Sequence, residues 1–127
     1  MGRSRYSNKK TTLFNITFDS QGEADRYVRL RERAESGEIT DLRVQPTFEL
    51  QPKFRRGKKT IRAITYTADF EYLENGVRVV EDYKGKAKSR KGRKTRTAET
   101  PEFRLKAKML QFKFPEIDFR VVTAEAA

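Results

Sequence analysis

The chain contains no cysteine, no histidine and no tryptophan. Without cysteine there is no disulfide framework, which argues against a small secreted domain held together by bridges. Without histidine there is no imidazole base and no histidine-ligated zinc. Any metal must be held by oxygen ligands, which suits magnesium or manganese, and any catalysis must run on carboxylates, lysines and hydroxyls. No apolar run approaches the ~20 residues needed to span a bilayer. No apolar stretch follows the basic, polar start Met1 to Thr12, so no signal peptide is read. No segment has the clean apolar face of a basic amphipathic helix. A membrane partner is therefore not expected, and a cytoplasmic location is the default expectation.

What the chain does have is charge. Its 127 residues are 37% charged and 35% hydrophobic, with a net charge of +11. The length suits one compact domain, and phenylalanine and tyrosine keep the lean core within the globular range. A domain this basic attracts polyanions, nucleic acid first, because neutralising phosphates releases counterions.

Residues 1–12 read as a flexible basic arm, and 13–127 as a single domain. Ser20 followed by Glu23 is a capping box, and it predicts a helix running to about Glu35, with Gly37 just past its end. Val44 to Gln51 reads as a strand, and Lys53 to Lys59 as a basic turn around Gly57. Two strands follow, about Ile61 to Leu73 and Val77 to Lys84, joined by Asn75-Gly76, the strongest short-range hairpin signal. Residues 85–99 form a basic loop. Thr100-Pro101 then opens a second helix, with threonine as cap and proline in the first turn. The helix stops before Pro115, and Ile117 to Val122 is a last strand. The fold class is α/β, in the order helix, three strands, helix, strand.

A two-residue turn at Asn75-Gly76 sets a register in which Glu74 faces Val77, Tyr72 faces Val79 and Phe70 faces Glu81. Continued, it pairs Asp69 with Asp82 and Thr67 with Lys84. Cross-strand partners share a face, so Asp69, Asp82 and Lys84 become neighbours. Like charges so placed destabilise a sheet unless a cation lies between them. A divalent ion on two aspartates is also what phosphodiester hydrolysis uses, and Lys84 could orient water or stabilise charge on the phosphate. The plainer alternative is a polar, solvent-facing sheet surface. The opposite face carries Ala68, Phe70, Tyr72, Val79 and Tyr83 and reads as core. In the first helix, Glu23, Tyr27, Leu30 and Ala34 form one stripe toward the sheet. Glu23 either reaches the carboxylate site, caps the helix, or does both.

Glu23, Ala68-Asp69 and Asp82-Tyr83-Lys84, in this order of elements, resemble the PD-(D/E)XK nucleases. That resemblance implies a restriction-endonuclease-like core with a mixed sheet flanked by helices. It also implies magnesium on Asp69 and Asp82, Glu23 completing the metal shell, and Lys84 assisting the attacking water. Further segments resemble a family of small phage-encoded proteins suspected of being endonucleases. They are Tyr6-Ser7-Asn8-Lys9-Lys10-Thr11, Phe18-Asp19-Ser20 with Glu23 and Tyr27, Gln45-Pro46-Thr47-Phe48-Glu49-Leu50, Tyr66-Thr67-Ala68-Asp69-Phe70, and Val80-Glu81-Asp82-Tyr83-Lys84-Gly85. The match covers nearly the whole chain and implies the cytoplasm of a phage-infected or prophage-carrying bacterium. Two departures stand out: alanine replaces proline before Asp69, and the loop from Lys86 to Glu99 is longer and more basic than the family pattern.

That loop carries Lys86, Lys88, Arg90, Lys91, Arg93, Lys94 and Arg96, directly after Lys84. It reads as a phosphate clamp on DNA, against the alternative of a solvated charge run. Phosphate contacts carry no sequence information, so structure-selective cutting of branched DNA, such as a Holliday junction, fits better than site-specific cutting of a restriction or homing type. A non-catalytic nucleic-acid-binding protein is the alternative from another class, and the Asp69, Asp82 and Lys84 cluster argues against it. In the second helix, Phe103, Ala107, Leu110 and Phe114 form one apolar stripe, and Leu105, Met109 and Phe112 another. Lys106 and Lys108 lie between them, and Lys106 is assigned to DNA. The second stripe suits either a homodimer, which paired cuts at a junction would call for, or a cover supplied by a loop or the terminal arm.

Overall fold

The computed structural model describes residues 10–85 and 99–124. The elements in order are β1 (Thr11–Leu13), β2 (Ile16–Phe18), α1 (Gln21–Glu35), β3 (Thr40–Val44), β4 (Thr47–Gln51), β5 (Phe54–Arg56), β6 (Lys59–Ile61), β7 (Ile64–Thr67), β8 (Phe70–Glu74), β9 (Val77–Gly85), α2 (Pro101–Lys113) and β10 (Asp118–Thr123). The protein is thus α/β, with a mixed sheet and two helices among the described residues. Most of the expected basic arm lies outside the described residues, but Thr11 and Thr12 belong to β1, which pairs antiparallel with β2. The loop cations Lys86, Lys88, Arg90, Lys91, Arg93, Lys94 and Arg96 also lie outside them.

Helix α1 starts where its cap predicts. The Ser20 hydroxyl accepts from the Glu23 N–H at 3.2 Å, and Gly37, at φ +88°, follows the helix end. Helix α2 is capped by Thr100, which accepts from the Phe103 N–H at 3.0 Å, and Pro101 costs nothing in a first turn that has no use for its N–H.

The central sheet runs β10-β9-β8-β3. The β8–β9 register is the predicted one from Glu74↔Val77 to Phe70↔Glu81. After α2 the chain returns as β10, parallel to β9. Each face of this sheet has its own core. On one face Phe70, Tyr72 and Val79 pack with Tyr27 and Leu30 of α1. On the other, Val80 packs with Phe103, Ala107 and Leu110 of α2 and with Phe48, Leu50 and Tyr66 of β4 and β7. Both sheet faces are therefore core, not one.

The expected strands Val44 to Gln51 and Ile61 to Leu73 are each broken. Gln45 takes φ +55°, and Pro46 has no N–H to continue a ladder. At the same level the chain leaves the ladder at Ala68-Asp69. Two hydrogen bonds tie the breaks together: Gln45 N–H to the Asp69 carbonyl at 2.8 Å and Ala68 N–H to the Pro46 carbonyl at 3.0 Å. The two strands turn one corner side by side, with β3 and β8 paired on one side of it and β4 and β7 on the other. The corner carries Ala68 into the α2-side core, away from the face shared by Phe70 and Tyr72.

Candidate active site

The corner also sets the position of Asp69. The Asp69–Asp82 and Thr67–Lys84 pairs do not form, because the ladder ends at Phe70↔Glu81. The Asp69 N–H instead donates to the Glu81 carbonyl at 3.0 Å. Its carboxylate accepts from the Tyr83 N–H at 2.6 Å. Asp82 and Lys84 project from β9 on the α2 side. Asp69 reaches the same space from the corner. The two aspartates share one cleft by bending of the chain rather than by direct opposition.

The cleft has a volume of about 410 Å³ and is lined by the four expected residues Glu23, Asp69, Asp82 and Lys84, together with Lys106. Asp82 is held from two sides. The Tyr66 hydroxyl donates to its Oδ2, and Lys84 Nζ lies 3.2 Å from its Oδ1. Lys84 is itself placed over the Phe103 ring, 3.7 Å from the centroid. Glu23 combines the two roles open to it: its N–H takes the Ser20 cap, and its side chain accepts from the Asp19 N–H at 3.3 Å while lining the cleft. Lys106 pairs with Glu102 at 3.1 Å on the rim.

Five carboxylates line this cleft, from Asp19, Glu23, Asp69, Asp82 and Glu102, against two lysines. In a chain of net charge +11 this is a local inversion of sign. Its effect falls on Asp69, whose carboxyl is pushed up to about 8 by burial and by the charges of Asp82 and Glu23. Glu23 is also raised, first by burial and then by Asp19. The Tyr66 hydroxyl is raised by burial and by Asp82, so it remains a proton donor to that carboxylate. Neighbouring carboxylates that raise one another's affinity for protons also favour other cations.

Sequence reasoning missed Tyr66, Tyr83, Asp19 and Glu102. Tyr66 and Tyr83 come to the cleft through the corner and the edge of β9, which no local pattern announces. Asp19 lies beside the helix cap and could have been found from that. Leu105 and Phe112 are 58% and 89% exposed among the described residues, whereas Met109 packs on the α2-side core, so the second stripe is only partly left over.

All donors in the cleft are oxygens, the set that magnesium and manganese take. Among the described residues, no group of three or more carboxylates stands close enough to hold a metal ion. Asp69, Asp82 and Glu23 line the same cleft. No helix of the described residues is long and apolar enough to cross a membrane. No curated protein and no solved structure matches the chain. The model of one family, described as a protein of unknown function, matches residues 3–125, and the chain belongs to that family, DUF1064.

Proposed function

We propose that this protein is a metal-dependent DNA endonuclease with a restriction-endonuclease-like core. The observation that carries the reading is the acid-rich cleft in a strongly basic chain, with Lys84 3.2 Å from Asp82 and Asp69 beside them. A structural pair would have its charges balanced; this one has carboxylates in excess. The mixed sheet with a helix on each face, and a cleft at the end of β9, supports the core assignment.

Asp69 and Asp82 would hold magnesium or manganese, and Glu23 adds its negative charge from the same cleft. When bound, such an ion supplies a Lewis acid for the phosphate and lowers the pKa of water. The protein's own groups do the rest. The Tyr83 N–H and the Tyr66 hydroxyl fix the two aspartates, so their oxygens are oriented before substrate arrives. Lys84, seated on Phe103, presents its ammonium to the attacking water or to the charge growing on the phosphate. Lys106 at the rim engages a flanking phosphate, and the cations of residues 86–96, which follow Lys84 in the sequence, add further backbone contacts. Such contacts read shape rather than sequence, which favours branched DNA. The exposed Leu105 and Phe112 suit a homodimer, whose two sites would cut a junction symmetrically.

The test is cleavage of linear, nicked, flapped and four-way DNA with and without magnesium or manganese. Cutting of four-way DNA that needs the metal and is lost in Lys84→Ala is the expected result. No cutting of any substrate by the wild-type protein with either ion would remove the reading.

A further inference from the structure

Strands β5 and β6 form a two-stranded ribbon of their own, apart from the central sheet. Its register is Phe54↔Ile61, Arg55↔Thr60 and Arg56↔Lys59, closed by Gly57-Lys58. Gly57 has φ +63°, which a primed hairpin turn needs at its first central position. Every residue from Pro52 to Thr60 is exposed among the described residues. An isolated ribbon is marginally stable in water, and this one adds a penalty by setting Arg56 directly opposite Lys59. Between Gln51 and Ala68 the sequence has six cations (Lys53, Arg55, Arg56, Lys58, Lys59 and Arg62) and no acidic residue. No carboxylate of the described residues pairs with any of them. Phe54 is 42% exposed on the same ribbon face as the Arg56 and Lys59 pair.

We propose that this ribbon is a second nucleic-acid contact, which enters a groove of duplex DNA beside the cleft. The choice of DNA over other polyanions rests on the nuclease reading above. A two-stranded ribbon fits the major groove of B-form DNA, whereas the major groove of A-form RNA is too deep and narrow for it. The geometry links ribbon and cleft. β4 continues into β5, and β6 into β7, whose last residue, Thr67, lines the cleft. At ~3.3 Å per residue, the path from Thr67 to the ribbon tip at Lys59 spans at most roughly 26 Å. That is less than one helical turn of about 34 Å. A duplex with a phosphate in the cleft therefore presents its neighbouring groove within the ribbon's reach. Self-repulsion at the tip, unfavourable in the lone protein, is relieved by phosphates on either groove wall.

The test measures binding by fluorescence anisotropy in EDTA, so that no DNA is consumed, with a 24-base-pair duplex over a range of salt. The variant is Arg56→Ala, Lys58→Ala and Lys59→Ala together. Its exposed positions leave the core untouched, and an unchanged circular dichroism melt verifies this. The expected result is at least about tenfold weaker binding and a log–log salt slope smaller by about 2–3, since each lost phosphate contact removes ~0.9. Equal affinity and slope in variant and wild type would overturn the proposal. So would wild-type protein that does not bind the duplex, or a greater loss on duplex RNA than on duplex DNA. Cleavage is scored separately on linear, nicked, flapped and four-way DNA with magnesium or manganese. Ribbon-dependent binding without cutting would remove the nuclease reading and keep the ribbon contact, while cutting with ribbon-independent binding would do the reverse.

Discussion

Glu81 and Asp82 are adjacent on β9 and both are buried, yet they sit in opposite kinds of environment. Glu81 faces α1. Arg26 donates to both of its oxygens, Nε at 2.9 Å and Nη2 at 2.6 Å, and the Tyr72 hydroxyl adds a third hydrogen bond. Its charge is matched and its lone pairs are used. Asp82 faces α2 and shares its cleft with Asp69, Glu23 and Asp19, while Lys84 is the one cation paired with it among the described residues. One side of the strand has a closed ion pair, the other a surplus of negative charge open to solvent. Burial of a carboxylate is therefore not what marks a site; an unbalanced group of them is.

The sharpest way to break this contrast is to unbalance the closed side. Arg26→Met removes both donors and leaves Glu81 charged and buried. Loss of one partner of a buried pair costs about 3–5 kcal/mol. Urea denaturation should show a loss of that size, with unfolding near ambient temperature as its limit. The open side should respond in the opposite way. Asp82→Asn keeps an acceptor for Tyr66 and relieves repulsion with Asp69, so stability should hold or rise while cleavage is lost. Equal destabilisation by the two variants would mean that the two carboxylates do not differ in kind.

Lys84→Ala comes next. It should lower the cleavage rate by about 10²–10³, the usual cost of removing one group that stabilises developing charge. DNA affinity should change only a few-fold, because one phosphate contact among many is a small share of the total. Parallel loss of binding and cutting would make Lys84 a general DNA contact rather than a catalytic residue.

Much of this arrangement is legible in the sequence, but partly for the wrong reason. The caps Ser20 and Thr100 and the turn Asn75-Gly76 act over a few residues, so they place α1, α2 and the β8–β9 hairpin correctly. The stripe Tyr27, Leu30 and Ala34 does face the sheet. Asp69, Asp82, Lys84, Glu23 and Lys106 do share one cleft. The face-to-face pairing that points to the two aspartates, however, is absent. The corner at Gln45-Pro46 and Ala68-Asp69 brings them together instead, and it is made by two strands breaking at one level. A positive φ at Gln45 is not asked for by its residue type; it is imposed by hydrogen bonds to residues more than twenty positions away. The ribbon β5–β6 reads from sequence as a mere turn because its charges contradict strand pairing.

A smaller effect distinguishes the two faces by pH. Asp69 has a folded pKa of about 8 against ~3.9 when unfolded, so the fold favours its protonated form. The stability this contributes is complete below about pH 4 and is lost as pH rises through 8. Glu23 acts in the same direction. Asp69→Asn removes the titration and keeps an oxygen for the Tyr83 N–H. Without divalent ions the variant should be more stable than wild type by roughly 1–3 kcal/mol at pH 9, a tenfold change in proton affinity being worth about 1.4 kcal/mol. The gap should close toward pH 5 and should shrink when magnesium is added to wild type at pH 9. A gap that is constant with pH would show that charge crowding is not its cause.

The least disruptive change tests how β9 meets α1 at the edge of the open site. Gly22 lies in the first turn of α1, where alanine would be worth about 0.5–1 kcal/mol more than glycine. A Cβ at this position would collide with the Tyr83 ring, so glycine permits that ring to rest against the helix. Tyr83 also lines the cleft, and its N–H holds Asp69. Gly22→Ala should therefore push the ring aside while the helix gains in propensity. The two effects offset, and the melting temperature should move by only about 2 °C. Cleavage should fall several-fold, because Asp69 and its neighbours depend on how Tyr83 is seated. The control is Tyr83→Ala, which empties the space the new methyl needs. If the ring is the whole cause, Gly22→Ala adds no further loss of cleavage in that background, and the double-mutant cycle shows a coupling equal to the single effect. Losses that simply add would place the role of Gly22 in the helix itself and separate α1 from the carboxylate cleft.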